Sequence, residues 1–235
     1  MTVGEPTTSH LERTIQTPVG LARVRIHPGC PQPQPAFRVG SPGPGSLVLG
    51  HGAGGRNWSM DLIGLTTLSS SGWTVVLVEQ PWRVAGRSVA PRPVVLDVAW
   101  SAVVADLVAG PEALPGPVIC GGRSAGARVA CRTATQVGAQ AVIALAFPLH
   151  PPGRPGRSRA DELVAVSAAG IPVLVVNGTR DAFGTPEQIR VALASAATGA
   201  GARGAVDVVS VEGGHGFTAD PRDVVDAVRD WLPHR

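Results

Sequence analysis

Short apolar runs alternate with stretches of helical length along most of this chain, and this pattern limits the possible folds more than any other feature. The runs are continuous and rich in Val, Leu and Ile, as is typical of strands buried on both faces of a parallel sheet. Strands are predicted at Ser46–Leu49, Thr74–Val78, Val118–Cys120, Ala141–Ala146, Val173–Val176 and Val206–Val211. Helices are predicted at Trp58–Ser71, Val94–Val108, Ala125–Val137, Arg159–Ala168, Pro186–Ala196 and Pro221–Leu232. This order predicts an α/β fold in which helices flank a mostly parallel central sheet.

The N-terminal part of the chain departs from this alternation. Leu11–Thr17 and Leu21–His27 are expected to form two paired strands across a short turn. Residues 28–45 hold six prolines and four glycines, which predicts a long loop and not a linker between domains. Further along the chain, only residues 147–160 lie outside the alternation of strands and helices and could form a small insertion above the sheet. The sequence therefore predicts one domain over residues 1–235, with a minimal lid or none.

Two of the predicted helices begin with capping signals. The run Thr185-Pro186-Glu187-Gln188 combines a capping box with a proline at the first helical position. Asp220-Pro221-Arg222-Asp223 is a similar start, and the apolar residues after it fall on one helical face. Both signals support the helix starts predicted from the apolar pattern.

The basic residues exclude several classes of enzyme, because all 20 are arginine and the chain has neither lysine nor tyrosine. Without lysine there is no P-loop lysine, no kinase lysine and no Schiff base to a carbonyl or to pyridoxal phosphate. The net charge of +3 is spread over scattered arginines, and only 4% of the residues are aromatic. A platform that stacks nucleic-acid bases needs more aromatic side chains, so no nucleic-acid partner is expected.

The cysteines and the hydropathy of the chain predict its environment. Cys30, Cys120 and Cys131 show no CxxC spacing and an odd count, which argues against a disulfide framework. The first 20 residues are polar and do not form a secretory signal. No apolar run approaches the ~18 residues of a membrane span. We therefore expect a cytoplasmic protein without a membrane partner.

The run Gly122-Arg123-Ser124-Ala125-Gly126 is the first candidate for chemistry. It lies between a predicted buried strand and a predicted helix. A serine on such a sharp turn projects its hydroxyl over the edge of the sheet, and the flanking glycines avoid collisions across the turn. This context favours Ser124 as a nucleophile over the alternative, a helix-capping serine in a glycine-lined turn.

A second glycine-rich segment, His51-Gly52-Ala53-Gly54-Gly55, follows the first predicted strand of the alternation. Small residues there let backbone N–H groups approach a ligand oxygen closely, so Ala53 and Ala125 are predicted to form an oxyanion hole. His51 is interpreted as a structural histidine that bonds to the loop backbone. The alternative for the whole segment is a flexible glycine turn.

Two more polar residues follow predicted strands. His215 lies in Gly213-Gly214-His215-Gly216-Phe217, and Asp181 lies just beyond Val173–Val176. Taken alone, each has an ordinary explanation, a satisfied surface histidine or a turn aspartate. Together with Ser124 they follow the chain order Ser, Asp, His of the α/β-hydrolase arrangement, with each member directly after a strand. The joint pattern predicts that Ser124 is the nucleophile, Asp181 the acid and His215 the base.

With these motifs, residues 45–235 resemble the α/β-hydrolase superfamily, and within it the small lidless hydrolases of the dienelactone-hydrolase-like group. More narrowly, the chain is similar to the predicted hydrolases related to the KANSL/testis-expressed α/β-hydrolase-like domain. The matching residues are His51–Gly55, Gly121–Arg128, Phe147–Pro152 and the helix start Arg159–Leu163. The chain differs from dienelactone hydrolases proper, which have Cys where it has Ser124. The resemblance implies Ser124 as nucleophile, Asp181 as acid and His215 as base.

The function expected from these residues is hydrolysis of a small ester or thioester through an acyl-enzyme, with no metal and no organic cofactor. Arg123 is a candidate to attract a substrate carboxylate, or else forms a structural salt bridge beneath the turn. His150 and Arg159 are candidates for the mouth of the pocket. Trp58 and Trp82 either wall the acyl site or pack in the core, and core packing is favoured.

Two other functions stay open at this point. One is a non-catalytic protein-interaction module built on the same fold, since fold does not imply function. The other is a small serine peptidase, although the chain length leaves no room for a large substrate domain. A small acyl substrate is the expected partner, and the chain is expected to be a monomer or a homodimer.

Overall fold

The computed structural model of the protein describes residues 10–30, 44–54, 57–110, 112–154, 156–196, 204–218 and 220–232. Within them, eight strands form one sheet. The strands are β1 (Leu11–Thr17), β2 (Gly20–His27), β3 (Ser46–Gly50), β4 (Thr74–Glu79), β5 (Val118–Arg123), β6 (Ala141–Leu145), β7 (Val173–Gly178) and β8 (Val206–Val211). Most of the loop predicted for residues 28–45 lies outside the described residues.

Seven helices connect and flank these strands in the described part of the chain. They are α1 (Met60–Leu65), α2 (Pro81–Val84), α3 (Pro93–Ala109), α4 (Ala125–Val137), α5 (Ala160–Ala168), α6 (Pro186–Ala196) and α7 (Arg222–Trp231). The capping box at the start of α6 is formed: the Thr185 N–H donates to Gln188 Oε1, and the Gln188 N–H donates to Thr185 Oγ1.

The strand order across the sheet is β1-β2-β4-β3-β5-β6-β7-β8. The first hairpin is antiparallel, and β2 also pairs antiparallel with β4. All pairs from β4 to β8 are parallel, with Val48 of β3 opposite Val76 on one side and Cys120 on the other. The predicted fold, a mostly parallel sheet between helices, is confirmed.

Alternating strand residues supply two separate cores, one on each face of the sheet. Val48 packs with α3 to α6, while its neighbours Leu47 and Leu49 pack with α1 and α7 on the opposite face. Trp100 of α3 is fully buried in the first core. Because both faces are covered, the central strands consist almost entirely of apolar residues, which is the pattern seen in the sequence.

Three elements differ from the sequence prediction. The helix predicted over Trp58–Ser71 is shorter: α1 ends at Leu65, and the chain continues as a 3₁₀ helix over Thr66–Ser71 that ends at left-handed Gly72. The single turn of α2 is additional. Strand β8 lies at the edge of the sheet, so most of its residues are only half-buried and not covered on both faces as expected.

The segment after β6 forms no lid in the described residues. Between Leu145 and Ala160 the chain follows an irregular path with turns, and neither a helix nor a strand is present there. Within the part of the chain that the structure describes, no helix is both long and apolar enough to cross a lipid bilayer.

Candidate active site

The predicted functional residues meet at one edge of the sheet. Four segments contribute to it: the turns that follow β3, β5, β7 and β8, all at the carboxyl ends of parallel strands. Ligands of open α/β sheets bind in the crevice beyond these ends. The location is therefore a candidate active site on topological grounds alone.

Ser124 lies on a strained turn between β5 and α4. Its backbone φ is 54° and ψ is −106°, a region that residues other than glycine rarely adopt. The Ser124 N–H donates to the Leu145 carbonyl at 2.9 Å, and the Ser124 carbonyl accepts from the Arg128 N–H at 3.2 Å. These two bonds hold the strained residue between β6 and the first turn of α4.

The turn is pressed against the end of β3, with no room for a side chain between them. A Cβ added at Gly126 or at Gly122 would lie 2.3 Å from the Gly50 carbonyl oxygen. Glycine is required at both positions because a side chain at Gly122 would push the end of β5, and one at Gly126 the start of α4, away from β3. The contact also brings the loop after β3 beside Ser124, since a Cβ added at Gly52 would lie 3.6 Å from the serine Cβ.

Ser124, His215 and Asp181 form a hydrogen-bonded chain. Ser124 Oγ lies 3.0 Å from His215 Nε2, and His215 Nδ1 lies 2.9 Å from Asp181 Oδ2. The Asp181 carboxylate is fully buried, whereas 23% of the His215 side chain is exposed. The aspartate is thus shielded behind the imidazole, and the serine faces the open edge of the sheet.

The loops that carry the histidine and the aspartate are tied to each other. The Thr179 N–H donates to the Val211 carbonyl, and the Arg180 N–H donates to the Gly213 carbonyl, each at 2.8 Å. The Phe217 N–H donates to Gly214 and closes the turn that holds His215. The Phe183 ring and the imidazole pack in a T-shaped arrangement, with centroids 4.6 Å apart.

Asn177, near the end of β7, supports the loop that carries Asp181. It is fully buried, and its Oδ1 accepts from the Phe147 N–H at 2.7 Å. Its Nδ2 donates to the carbonyls of Phe147 and Gly184, both at 3.0 Å, and lies 3.4 Å from Asp181 Oδ2. One amide therefore joins the segment after β6 to the segment that carries the acid.

Arg123 joins the serine turn to the histidine loop. Its Nη2 donates to the His215 carbonyl at 2.7 Å, and its Nε lies 3.3 Å from the carboxylate of buried Asp61 on α1. This is the structural salt bridge that the sequence left as an alternative to substrate binding. The guanidinium thus contacts the backbone of the residue whose side chain meets Ser124.

The two predicted oxyanion donors lie close together. Ala53 and Ala125 line one small cavity of about 10 Å³, which is the space of about one water molecule. Ala125 is the first residue of α4, so its N–H has no carbonyl partner within the helix. Gly55, the last residue of the glycine segment, lies outside the described residues.

His51 supports this loop from the inside. Its Nε2 accepts the Gln80 N–H at 3.0 Å, so its ring proton is on Nδ1, which donates to the Gly52 carbonyl at 2.7 Å. Burial lowers the pKa of His51 from 6.5 to about 4 because the charged imidazolium is desolvated there. The structural interpretation of this histidine agrees with its two backbone bonds.

The remaining pocket candidates lie around the site. The Trp58 ring packs edge-on against His51 and under the Arg83 guanidinium, and Trp82 is buried in the core beside the same histidine. His150 lies after β6, where its N–H donates to the carbonyl of Phe183. Arg159 donates to the Pro148 and His150 carbonyls and so shapes this segment. Among the described residues, no group of three His, Cys, Asp or Glu side chains is placed to hold a metal ion.

Sequence reasoning missed Asn177, Asp61 and Phe183. The only signal for Asn177 was a polar residue directly after a buried strand. Asp61 carried no signal, because its partner is 62 positions away and meets it only in the folded chain.

A family model of the alpha/beta hydrolase domain matches residues 44–222. This is more than half of the chain, and the protein belongs to that family. No curated protein matches the chain. The narrower resemblance to the KANSL/testis-expressed domain stays a prediction.

Several solved structures share the fold. XC6422 from Xanthomonas campestris, described as an α/β serine hydrolase without a lid, is 18% identical, with 99% of each chain covered and a TM-score of 0.64. Est1E from Butyrivibrio proteoclasticus is 14% identical over 95% of this chain and 98% of its own, with a TM-score of 0.69. A dienelactone hydrolase from Anabaena variabilis is 15% identical over 96% and 97%, with a TM-score of 0.68.

Replacing Asn177 by alanine is expected to destabilise the protein strongly. The change leaves the Phe147 N–H and the Phe147 and Gly184 carbonyls without their partner, and each buried unpaired group costs about 1–3 kcal/mol. We expect a loss of about 3 kcal/mol or more in the free energy of unfolding, measured with urea. Gln140→Ala, at an exposed amide, is the control. A loss no larger than that of the control would contradict the role of Asn177.

Acidification is expected to destabilise the protein through His51. The folded pKa lies below the unfolded value, so the stabilisation is complete above pH 6.5 and is lost as the pH falls toward 4, by about 1.4 kcal/mol per unit. Urea unfolding at pH 7 and pH 4.5 measures the loss, which should shrink in His51→Gln. His150→Gln is the control, and its loss of unfolding free energy between pH 7 and pH 4.5 should match that of the wild type. If the free energy of unfolding depended on pH in His51→Gln as it does in the wild type, His51 would not be the source of the acid destabilisation.

Proposed function

We propose that the protein is a serine hydrolase that cleaves small esters or thioesters through an acyl-enzyme. The observation that supports this proposal most directly is the chain of contacts from Ser124 Oγ to His215 Nε2 and from His215 Nδ1 to the buried Asp181. A serine hydroxyl is a weak nucleophile unless a base next to it takes the proton. The arrangement supplies that base and a carboxylate that orients it.

In the first step Ser124 Oγ attacks the substrate carbonyl carbon, and its proton passes to His215 Nε2. The imidazolium that forms is stabilised by Asp181 through Nδ1–H. Asp181 keeps its orientation because its Oδ1 accepts the Phe183 N–H at 2.8 Å. Arg123 holds the backbone of His215 and so keeps the imidazole in line with Ser124 Oγ.

The negative charge that develops on the substrate oxygen needs hydrogen-bond donors. We assign this role to the N–H groups of Ala125, which follows the serine directly, and of Ala53, which lines the same small cavity as Ala125. Losing one such donor raises the barrier by about 2.7–4 kcal/mol in other enzymes. Gly50, Gly122 and Gly126 support this assignment, since their close contact fixes one donor segment against the other.

The intermediate then collapses as His215 Nε2 returns its proton to the leaving alcohol or thiol, which departs and leaves an acyl-Ser124 ester. Water attacks this ester while His215 accepts a proton, and the second collapse releases the carboxylic acid and restores Ser124 Oγ–H. The cycle uses side-chain and backbone groups of this chain and water.

A fluorophosphonate probe tests the nucleophile. We expect the wild type to be labelled covalently and Ser124→Ala to remain unlabelled, as measured by gel fluorescence and intact mass. Ser195→Ala, at an exposed serine on α6, is the matched control and should label like the wild type. Labelling of Ser124→Ala would mean that another residue reacts. Absence of labelling in the wild type would favour a non-catalytic interaction module.

Asp181→Asn tests the acid. The amide offers an N–H to His215 Nδ1 and disfavours the tautomer with Nε2 free, so kcat for p-nitrophenyl acetate should fall by about 10³–10⁴-fold. Glu212→Gln is the control, because Glu212 is exposed and pairs with Arg180 on the surface. If Asp181→Asn kept near-wild-type turnover and Glu212→Gln lost it, the acid would be Glu212 and not Asp181.

A further inference from the structure

A second, larger cavity lies beside the proposed active site. It has a volume of about 390 Å³, within the range of small-molecule pockets. We call it the side cavity. Its lining is mainly apolar and also contains Gln80 and Arg87; the apolar residues include Val19, Leu21, Pro81, Val84, Pro91 and Val95. The mechanism above makes no use of it.

The side cavity adjoins the small cavity that the two proposed oxyanion donors line. Gln80 and Trp82 line both the side cavity and the small cavity that contains Ala53 and Ala125. The wall is well fixed, because the Gln80 N–H donates to His51 and 94% of the Trp82 surface is buried. The two cavities are therefore neighbours, and a substrate chain that runs past Gln80 and Trp82 lies in the side cavity.

The strand order determines which half of an ester points that way. His215 follows β8 and must protonate the leaving group, so the leaving group lies on the side of β6, β7 and β8. The side cavity lies past the end of β4, on the opposite side of β5. The part of the substrate that points toward it is the acyl part.

The surface of the side cavity matches an apolar chain. Val19 and Leu21 in its wall expose 40% and 49% of their surface. Covering such apolar surface is favourable by about 25 cal/mol per Å². A substrate with a linear hydrocarbon chain would cover these side chains. The charged residue of the lining, Arg87, is exposed and can keep its guanidinium in water beside such a chain.

From this geometry we infer that the side cavity binds the acyl chain and that the enzyme prefers medium-chain linear acyl esters; the inference rests on the proposed function. The ends of β5 and β4 are two strand spacings apart, or about 10 Å. An extended chain of roughly eight carbons spans that distance, given carbon–carbon bonds of about 1.5 Å. Acetyl esters reach only the oxyanion region.

Filling the side cavity tests the inference. Val95→Trp on α3 and Ala85→Trp after α2 place an indole in the cavity from two different walls, at positions that are only partly buried or exposed. We expect the ratio of kcat/KM for p-nitrophenyl octanoate to that for p-nitrophenyl acetate to fall at least tenfold in both variants. Thermal unfolding confirms that the variants are folded.

Val108→Trp is the matched control. Val108 is an exposed valine on the same helix, 13 residues and roughly 20 Å from Val95, and does not line the cavity. It should keep the wild-type ratio. A wild-type ratio in either filling variant, or an equal fall in the control, overturns the inference.

A measurement on the wild type is independent of these variants. Octanoate, the expected product, should inhibit hydrolysis of p-nitrophenyl acetate at concentrations at which acetate does not. Equal inhibition by both acids, or activity that falls with each added carbon from acetate onward, overturns the inference and leaves the proposed function intact. Failure to hydrolyse any of these esters overturns the proposed function itself.

Discussion

The backbone contact between the end of β3 and the start of α4 is the constraint on which the rest of the site depends. Gly122 and Gly126 approach the Gly50 carbonyl so closely that no side chain fits between them. This approach turns Ser124 outward, sets the free N–H groups of α4 beside the loop after β3, and holds the serine at the distance where His215 meets it. The positions of Ser124 and of the two proposed oxyanion donors follow from it.

The sequence predicted the fold well because burial on both faces of a parallel sheet leaves a direct record in the chain: β3 to β7 are nearly all apolar. It also pointed to Ser124, Asp181 and His215, because each comes directly after a strand whose carboxyl end faces the same edge. Edge position leaves no such record, so the partial exposure of β8 was missed. The single turn of α2 is too short to show a helical period.

Residues that act through tertiary contacts were harder to predict. Asn177 and Asp61 are single polar residues whose partners, Phe147 and Arg123, are distant in sequence. The two cavities around Trp82 depend equally on segments that meet only after folding. The sequence did raise both alternatives for Arg123, and the geometry supports the salt bridge. The local sequence pattern thus points to the candidate reacting groups, whereas the residues that hold them in place are recognised only in the three-dimensional structure.

The buried amide of Asn177 has a consequence for how the site works. Because it bonds to Phe147 and Gly184 and lies next to Asp181, it ties the start of the segment after β6 to the segment after β7. A site assembled in this way is already organised before a substrate arrives, so little binding energy is consumed in ordering loops. We therefore expect turnover to be limited by the chemical steps or by product departure, and not by ordering of the segments that Asn177 joins.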